Sequence, residues 1–306
     1  MDKNRLTAWM LLLLLALIWG SSFILIKKGL VALTPYELGS LRIVAAFIFL
    51  LPSALRRFKY AEKKLYPFLI SVGLLGSLVP SFLFGVAQTR IDSSITGVLN
   101  GLTPIFTILV GFFIYRQKQT SKVFLGIVVG FIGTAILITA GKGNSFTGLN
   151  AYALLIVLAT VCYGTNLNFI KYHLSQLHAV TVTSVSLLFV GPLAAVYLFG
   201  FTDFVPKLLN EEGMGLATFY VCLLGIMGTA IALIIFNKIL QITDALFASS
   251  VTYIIPIVAV AWGVFDGESL YSMHYLGMLA IGMGVYIANS NRAAFKRNKK
   301  AVEDHQ

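Results

Sequence analysis

The feature that most limits this chain is the recurrence of long apolar runs. A helix needs about 20 mostly apolar residues to cross roughly 30 Å of hydrocarbon. Ten segments come near that length: 8–27, 38–55, 66–87, 93–115, 123–140, 150–170, 180–200, 215–236, 246–265 and 273–290. We number them spans 1 to 10. The polar connections between them are short, and none is long enough to fold as a soluble domain. Backbone exposed to lipid must satisfy its own hydrogen bonds, and no run alternates apolar with polar residues as a barrel strand would. The expected fold class is therefore an all-α polytopic membrane protein with ten transmembrane helices. Composition agrees, with 58% of residues hydrophobic and 11% charged. A soluble domain carries roughly 25% charged residues, so a soluble globule and a charge-rich disordered chain are both excluded. Residues 1–20 have the basic-then-apolar look of a signal peptide. They lack an Ala-x-Ala-like cleavage site, and hydrophobicity resumes with FILI at 23–26, so they read as a retained first span.

The net charge of +11 invites a nucleic-acid partner. Position argues against it. Arg56, Arg57, Lys59, Lys63 and Lys64 form one cluster, and Arg292, Lys296, Arg297, Lys299 and Lys300 another, both just beyond apolar spans. Basic residues there set orientation and meet anionic lipid. With the N-terminus inside, 17 Lys and Arg fall on the cytoplasmic side and five outside, with Arg42 within span 2. Both termini are thus expected in the cytoplasm of a multi-pass protein of a cell membrane, such as a bacterial inner membrane. Cys162 and Cys222 each sit inside an apolar span and read as small hydrophobes in helix packing.

The chain also repeats itself. WGSSFILIKKGL at 19–30 has a counterpart in YGTNLNFIKYHL at 163–174. DSSITGVLNGLTPIFTILVG at 92–111 matches DALFASSVTYIIPIVAVAWG at 244–263, aligning Asp92 with Asp244, Pro104 with Pro256 and Gly111 with Gly263. FLGIVVGFIG at 124–133 matches YLGMLAIGMG at 275–284, and LLG at 74–76 matches LLG at 223–225. The order is kept and the offset drifts by only a few residues. The expected domains are a first five-helix repeat over 1–141 and a second over 142–306, the latter ending in the basic tail. Five is odd, so the second copy enters the membrane from the opposite side, as in the inverted repeats of many alternating-access transporters.

Spans 1 and 6 are both weakened by an aromatic-Gly-polar-polar run. Gly20 and Gly164 suit a tight helix crossing. Trp19, Ser22, Tyr163 and Asn166 are candidates to line a cavity between the halves. Asn166 and Asn168 lie two apart and cannot face the same way on a helix, so one lines and the other packs. In spans 4 and 9 a mid-helix proline frees a carbonyl and kinks the helix. Pro104 and Pro256 are candidate hinges, with Asn100, Thr103, Thr252 and Tyr253 beside them as candidate substrate contacts. Span 3 adds Ser81. Gln88 and Asn237, at matching positions of spans 3 and 8, are a candidate gate near the cytoplasmic ends. Arg42, about one turn into span 2, suits either snorkelling to the interface or anion recognition. All twelve carboxylates fall in loops, tails or span ends. No mid-membrane acid is there to relay protons or hold sodium, which favours uniport, exchange, or coupling through peripheral groups such as Glu37, Asp92 or Glu268. The four histidines have no acid beside them at membrane depth, so an enzyme is not expected, nor any cofactor or metal.

The ten spans, the two five-span halves, Trp-Gly-Ser-Ser-Phe at 19–23, Leu-Arg at 41–42 and the proline-bearing spans 4 and 9 together resemble the EamA-like transporters of the drug/metabolite transporter superfamily, over nearly the whole chain. The resemblance implies a basket-like bundle with a central cavity formed by both halves. It also implies export of amino acids or similar small polar metabolites. Gly267-Glu268 keeps the Gly-Glu pair with which such repeats often end span 4 or 9, whereas the first half reads Tyr115-Arg116 and departs from it. The expected partners are a small-molecule substrate and membrane lipid, with no nucleic acid; no residue pattern speaks to an oligomeric state. The alternative function is a lipid or lipid-carrier flippase, which a groove open to lipid between spans would favour over an enclosed polar cavity.

Overall fold

The computed structural model describes residues 3–117, 119–139, 150–242 and 251–303. The described chain is helical, with no strand among the described residues. Among the described residues, seven helices are long and apolar enough to cross a membrane: Thr7–Gly29, Pro35–Tyr60, Lys63–Ala87, Ser93–Phe113, Ala151–His173, Ala179–Gly200 and Met214–Phe236. They occupy the positions of spans 1 to 4 and 6 to 8. Spans 5, 9 and 10 carry shorter apolar helices, Ser121–Leu137, Ile254–Phe265 and Ser272–Ala288. Span 9 is short partly because its expected first turns, 246–250, lie outside the described residues. Large apolar side chains such as Leu13, Leu17, Ile48, Leu193, Val196 and Leu279 stand exposed on the helices. On a water-soluble surface they would make an aggregation-prone patch; here they form a lipid-facing coat, and the chain is a multi-pass membrane protein.

Local chemistry accounts for the helix ends and interruptions. Span 2 opens with a capping box: the Glu37 backbone N–H donates to Thr34 Oγ1 (3.2 Å), the Thr34 N–H donates to Glu37 Oε2 (2.8 Å), and Pro35 takes the first helical turn. Span 4 is broken rather than kinked. A helix Ser93–Asn100 ends in a tight turn at Gly101 and Leu102, and a second helix Thr103–Phe113 begins with Pro104 in its first turn. Proline has no N–H to give the carbonyl four residues back, and the Thr103 hydroxyl fills that place on the Asn100 carbonyl (2.8 Å). Pro256 lies inside the helix Val251–Phe265 and packs over the break, 3.6 Å from where a Cβ at Gly101 would stand. The expected pair of equivalent kinks is therefore one break and one in-helix proline, in contact. Spans 3 and 8 are each widened by a π-helical stretch, Leu74–Leu78 and Leu224–Ile231, flanked by α-helix. Pro80 follows the first at the start of Val79–Ala87, where its missing N–H suits a loosened turn.

Span 5 lies along span 10 and span 2 along span 7. Span 1 packs on spans 8 and 9, and span 6 on spans 3 and 4. The closest crossing joins spans 5 and 10: a Cβ at Gly126 would stand 2.6 Å from the Gly284 carbonyl, and one at Gly133 2.8 Å from the Gly277 carbonyl. Small residues let backbones approach this closely, which drives helix association where lipid offers no hydrophobic gain. Gly20 and Gly164 serve the same purpose. A Cβ at Gly20 would lie 2.5 Å from Val258 in span 9, and one at Gly164 2.7 Å from the Thr107 nitrogen in span 4.

Candidate functional site

Between these crossings, polar and aromatic groups from five spans meet at the widened turns. Trp19 of span 1 donates its indole N–H to the carbonyl of Gly228, inside the π-helical stretch of span 8 (3.0 Å), and its ring lies 5.7 Å from Phe236. Ser22, one turn on, is buried over Gly228 and donates to the Ile18 carbonyl (3.0 Å). Arg42 of span 2 does not snorkel away from the bundle. Its Nε donates to the buried Thr229 hydroxyl (3.3 Å), and Tyr163 of span 6 lies beside it, close enough to interact electrostatically. Tyr163 in turn stacks on Phe84 of span 3, which meets Phe23 of span 1 edge-on. The residues carrying Trp19, Ser22, Arg42, Tyr163 and Thr229 thus come together.

The remaining candidates are distributed around this centre. Asn166 packs its amide against Gly76 in the π-helical stretch of span 3, and its Oδ1 is buried without a hydrogen-bond partner. Asn168 is the packing residue of the pair, buried and donating to the Thr107 and Gly164 carbonyls at 2.9 Å each. Ser81 is buried and satisfied within its helix by the Ser77 carbonyl (2.7 Å). Asn100 and Thr103 belong to the break in span 4, where Asn100 Oδ1 is also buried and unpartnered. Thr252 lies in the first turn of Val251–Phe265, half-buried. The side chains of Tyr253 and Asn237 lie outside the described residues. Gln88 closes span 3 with both amide atoms buried and unpartnered. It stands beside the Arg90 loop, while position 237 falls in the last helical segment of span 8. Span 3 ends where span 8 begins, so the two belong to opposite ends of the bundle and do not form one cytoplasmic gate.

Each end of the bundle has its own cross-link. At what we call the lysine end, Glu268 reaches the start of span 4. It accepts from the backbone N–H and hydroxyl of both Ser93 and Ser94, and from Lys27 Nζ at 2.9 Å. The helix N-terminus supplies unsatisfied N–H groups and a positive dipole end for this carboxylate. Its side chain is 2% exposed. Burial alone would raise its pKa, but the hydrogen bonds from Ser94, Ser93 and Lys27 win and hold it at about 2. Asp266 pairs with Lys27 at 2.7 Å and with Lys28, and these hydrogen bonds lower its pKa. Glu37 and Lys207 form a second bridge at 2.9 Å, which raises the lysine pKa.

The opposite, tyrosine end closes a turn one residue longer, with other chemistry. Glu268 N–H donates to the Gly263 carbonyl (2.9 Å), and Gln117 N–H to the Gly111 carbonyl (3.0 Å). The residue before each has a left-handed φ, 83° at Gly267 and 51° at Arg116. Here, however, Gln117 donates to the Tyr172 hydroxyl (2.6 Å), and the Tyr115 ring stacks on Tyr172 with centroids 3.9 Å apart. Tyr115 also hydrogen-bonds His173 (3.2 Å), itself stacked on Phe68. The repeat pattern predicts two equivalent loops; it does not predict that one closes on carboxylates and the other on aromatic rings.

Comparison with known proteins completes the picture. Residues 6–139 and 150–290 each match the EamA-like transporter family. An "Uncharacterized transporter" of Archaeoglobus fulgidus is 25% identical over 93% of this chain and 99% of its own length. The "Uncharacterized inner membrane transporter YedA" of Escherichia coli K12 is 24% identical over 92% of this chain and 90% of its own. A "Probable amino-acid metabolite efflux pump" of Salmonella typhimurium is 24% identical over 90% of this chain and 93% of its own. One solved crystal structure aligns at a TM-score of 0.60 with 18% identity, covering 92% of this chain and 96% of that one, a likeness of fold alone.

Proposed function

The chain belongs to the EamA-like transporter family, and on that premise we propose that it exports amino acids or similar small polar metabolites by alternating access. The observation that carries this reading is the meeting of Trp19, Arg42, Tyr163 and Thr229 at the widened turns of the bundle. The name of the Salmonella typhimurium relative supports the substrate class.

The architecture we propose is ten transmembrane helices in two inverted five-helix repeats, residues 1–141 and 142–306, with both termini cytoplasmic. The packing supports it. Exchanging each span with its counterpart five places along turns the contacts of span 1 with spans 8 and 9 into those of span 6 with spans 3 and 4. The same exchange keeps spans 2 and 7, and spans 5 and 10, as partners. The basic residues, 17 against five, support the orientation. The two halves rock about the contact between Pro256 and the span 4 break at Pro104, and each end opens while the other stays bridged. Asn100, Thr103, Asn166 and Thr252 extend the site toward that hinge, and Gln88 guards the lysine end.

Counterflow of labelled amino acids into proteoliposomes tests this reading. Saturable exchange by the native protein, lost in Trp19→Ala and Asn100→Ala with the fold intact, is the expected result. Undiminished exchange in both variants would remove this site from consideration. One observation favours the lipid-flippase alternative: a pocket of about 220 Å³ between spans 1 and 8 is lined mainly by apolar side chains, Leu17, Ile18, Leu25, Leu223 and Met227, with Ser21 and Gly228 beside them. Accelerated flipping of a labelled phospholipid in the same vesicles, without amino-acid exchange, would turn the assignment that way.

A further inference from the structure

Arg42 is an expensive residue to keep where it stands. A cation in hydrocarbon is costly unless it is paired or faces a polar cavity. Among the described residues no carboxylate comes within ion-pairing distance of it; Glu268, Asp266 and Glu37 on this side of the bundle pair instead with Lys27, Lys28 and Lys207. Its described hydrogen-bond partner is a neutral hydroxyl, Thr229 on Nε, with the Tyr163 side chain nearby. A guanidinium carries five N–H donors in a planar fork that matches a carboxylate with two parallel bonds. The equivalent position in the second half is Ser186, whose hydroxyl is buried and unpartnered. Spans 2 and 8 are locked together here: a Cβ at Gly225 in the π-helical stretch would collide with the Arg42 carbonyl, and Trp19 anchors the same stretch through Gly228. A purely structural arginine at such depth is expected to end on an acid or on helix-terminal carbonyls, and neither is among its described partners.

We propose that Arg42 is the anchor for a carboxylate group on the transported molecule, with the Thr229 hydroxyl holding Nε so that the remaining N–H groups of the fork face the ligand. The substrate is then a small carboxylate-bearing metabolite, and the uncompensated charge of Arg42 is neutralised only when the site is filled. The lysine-end acids cannot take its place as ligand, because their oxygens already have partners. This inference rests on the carrier reading above and narrows it to one class of substrate.

The test uses the full-length protein in proteoliposomes and matched sets of compounds: amino acids, the corresponding decarboxylated amines, and short carboxylic acids lacking the amine. Each is measured as a competitor of counterflow and, separately, for thermal stabilisation of the purified protein. A hydrogen-bonded charge pair predicts that carboxylate compounds outperform their decarboxylated partners by about tenfold to a hundredfold. Arg42→Gln should abolish that preference, and Arg42→Lys should restore part of it. Acids recognised without the amine, and amino acids not exchanged, would sink the amino-acid reading and leave the carboxylate anchor standing. Amines matching acids in the native protein, or an unchanged preference in Arg42→Gln, would overturn the anchor. So would a panel in which no carboxylate binds or exchanges. If Arg42→Gln fails to fold, the native preference together with Thr229→Val, expected to weaken it by less than Arg42→Gln, decides the matter.

Discussion

The turns after spans 4 and 9 occupy matching places in the two halves, and the chain closes them differently. After span 9, Glu268 gives its charge to a helix N-terminus, two serines and a lysine. After span 4, Gln117 gives one neutral hydrogen bond to Tyr172, and stacked rings do the rest. Both links tie the first half of the chain to the second, at opposite ends of the bundle. A buried, fully partnered carboxylate is strongly held while charged and weak once protonated. The stacked rings at the other end are weaker and hold no carboxylate. A carrier with one link of each kind has two links of unequal strength.

The largest effect is expected at Glu268. Its folded pKa of about 2 lies below the ordinary 4.5, so its contribution is complete above about pH 4.5 and is lost as the pH falls toward 2. That difference corresponds to about 3 kcal/mol. Glu268→Gln, which copies the tyrosine-end chemistry, should lower stability by a similar amount at neutral pH and flatten the acid limb of the stability profile. Chemical unfolding at stepped pH measures both; an unaltered acid limb would break the comparison. Tyr115→Ala comes next. Losing the stack on Tyr172 should cost about 1 kcal/mol beyond the loss of buried area, read from the same unfolding curves at neutral pH. Gln117→Ala, at an exposed neutral hydrogen bond, should cost about 0.5 kcal/mol. Lys28→Ala should do least, about 0.5 kcal/mol or less, because Lys28 is 41% exposed and Lys27 still holds Asp266. A deficit at Lys28 as large as that at Glu268 would mean that general charge, rather than the capped carboxylate, closes this end.

The sequence made part of this legible. Apolar runs located the helices, because twenty residues of hydrocarbon contact leave a compositional trace that no tertiary contact can erase. The glycine pairs of spans 5 and 10 were readable for a similar reason: Gly126, Gly133, Gly277 and Gly284 recur at one offset and meet at one crossing. What stayed hidden depends on helix rotation and long-range contact. Whether Arg42 points to the interface or across to Thr229 turns on the angular setting of span 2 against span 8, which no local pattern records. The π-helical stretches have Pro80 as a cue in span 3 and none in span 8. Pro104 signalled a kink, but only the Gly101 turn and the Thr103 hydroxyl make it a clean break. Glu268 was visible as part of a Gly-Glu pair; that its partners are Ser93 and Ser94, some 175 residues away, was not.

Alternating closure of the two ends is the centre of this account, and paired distance measurements test it most directly. Spin labels at the exposed positions 31 and 209 report across the lysine end, and labels at 60 and 176 across the tyrosine end. Cys162 and Cys222 are replaced by serine for the purpose. In lipid nanodiscs the account predicts that when one distance lengthens the other stays short. Glu268→Gln should shift the population toward an open lysine end. Both distances lengthening together, or neither responding to Glu268→Gln or to an exchanged substrate, would contradict it.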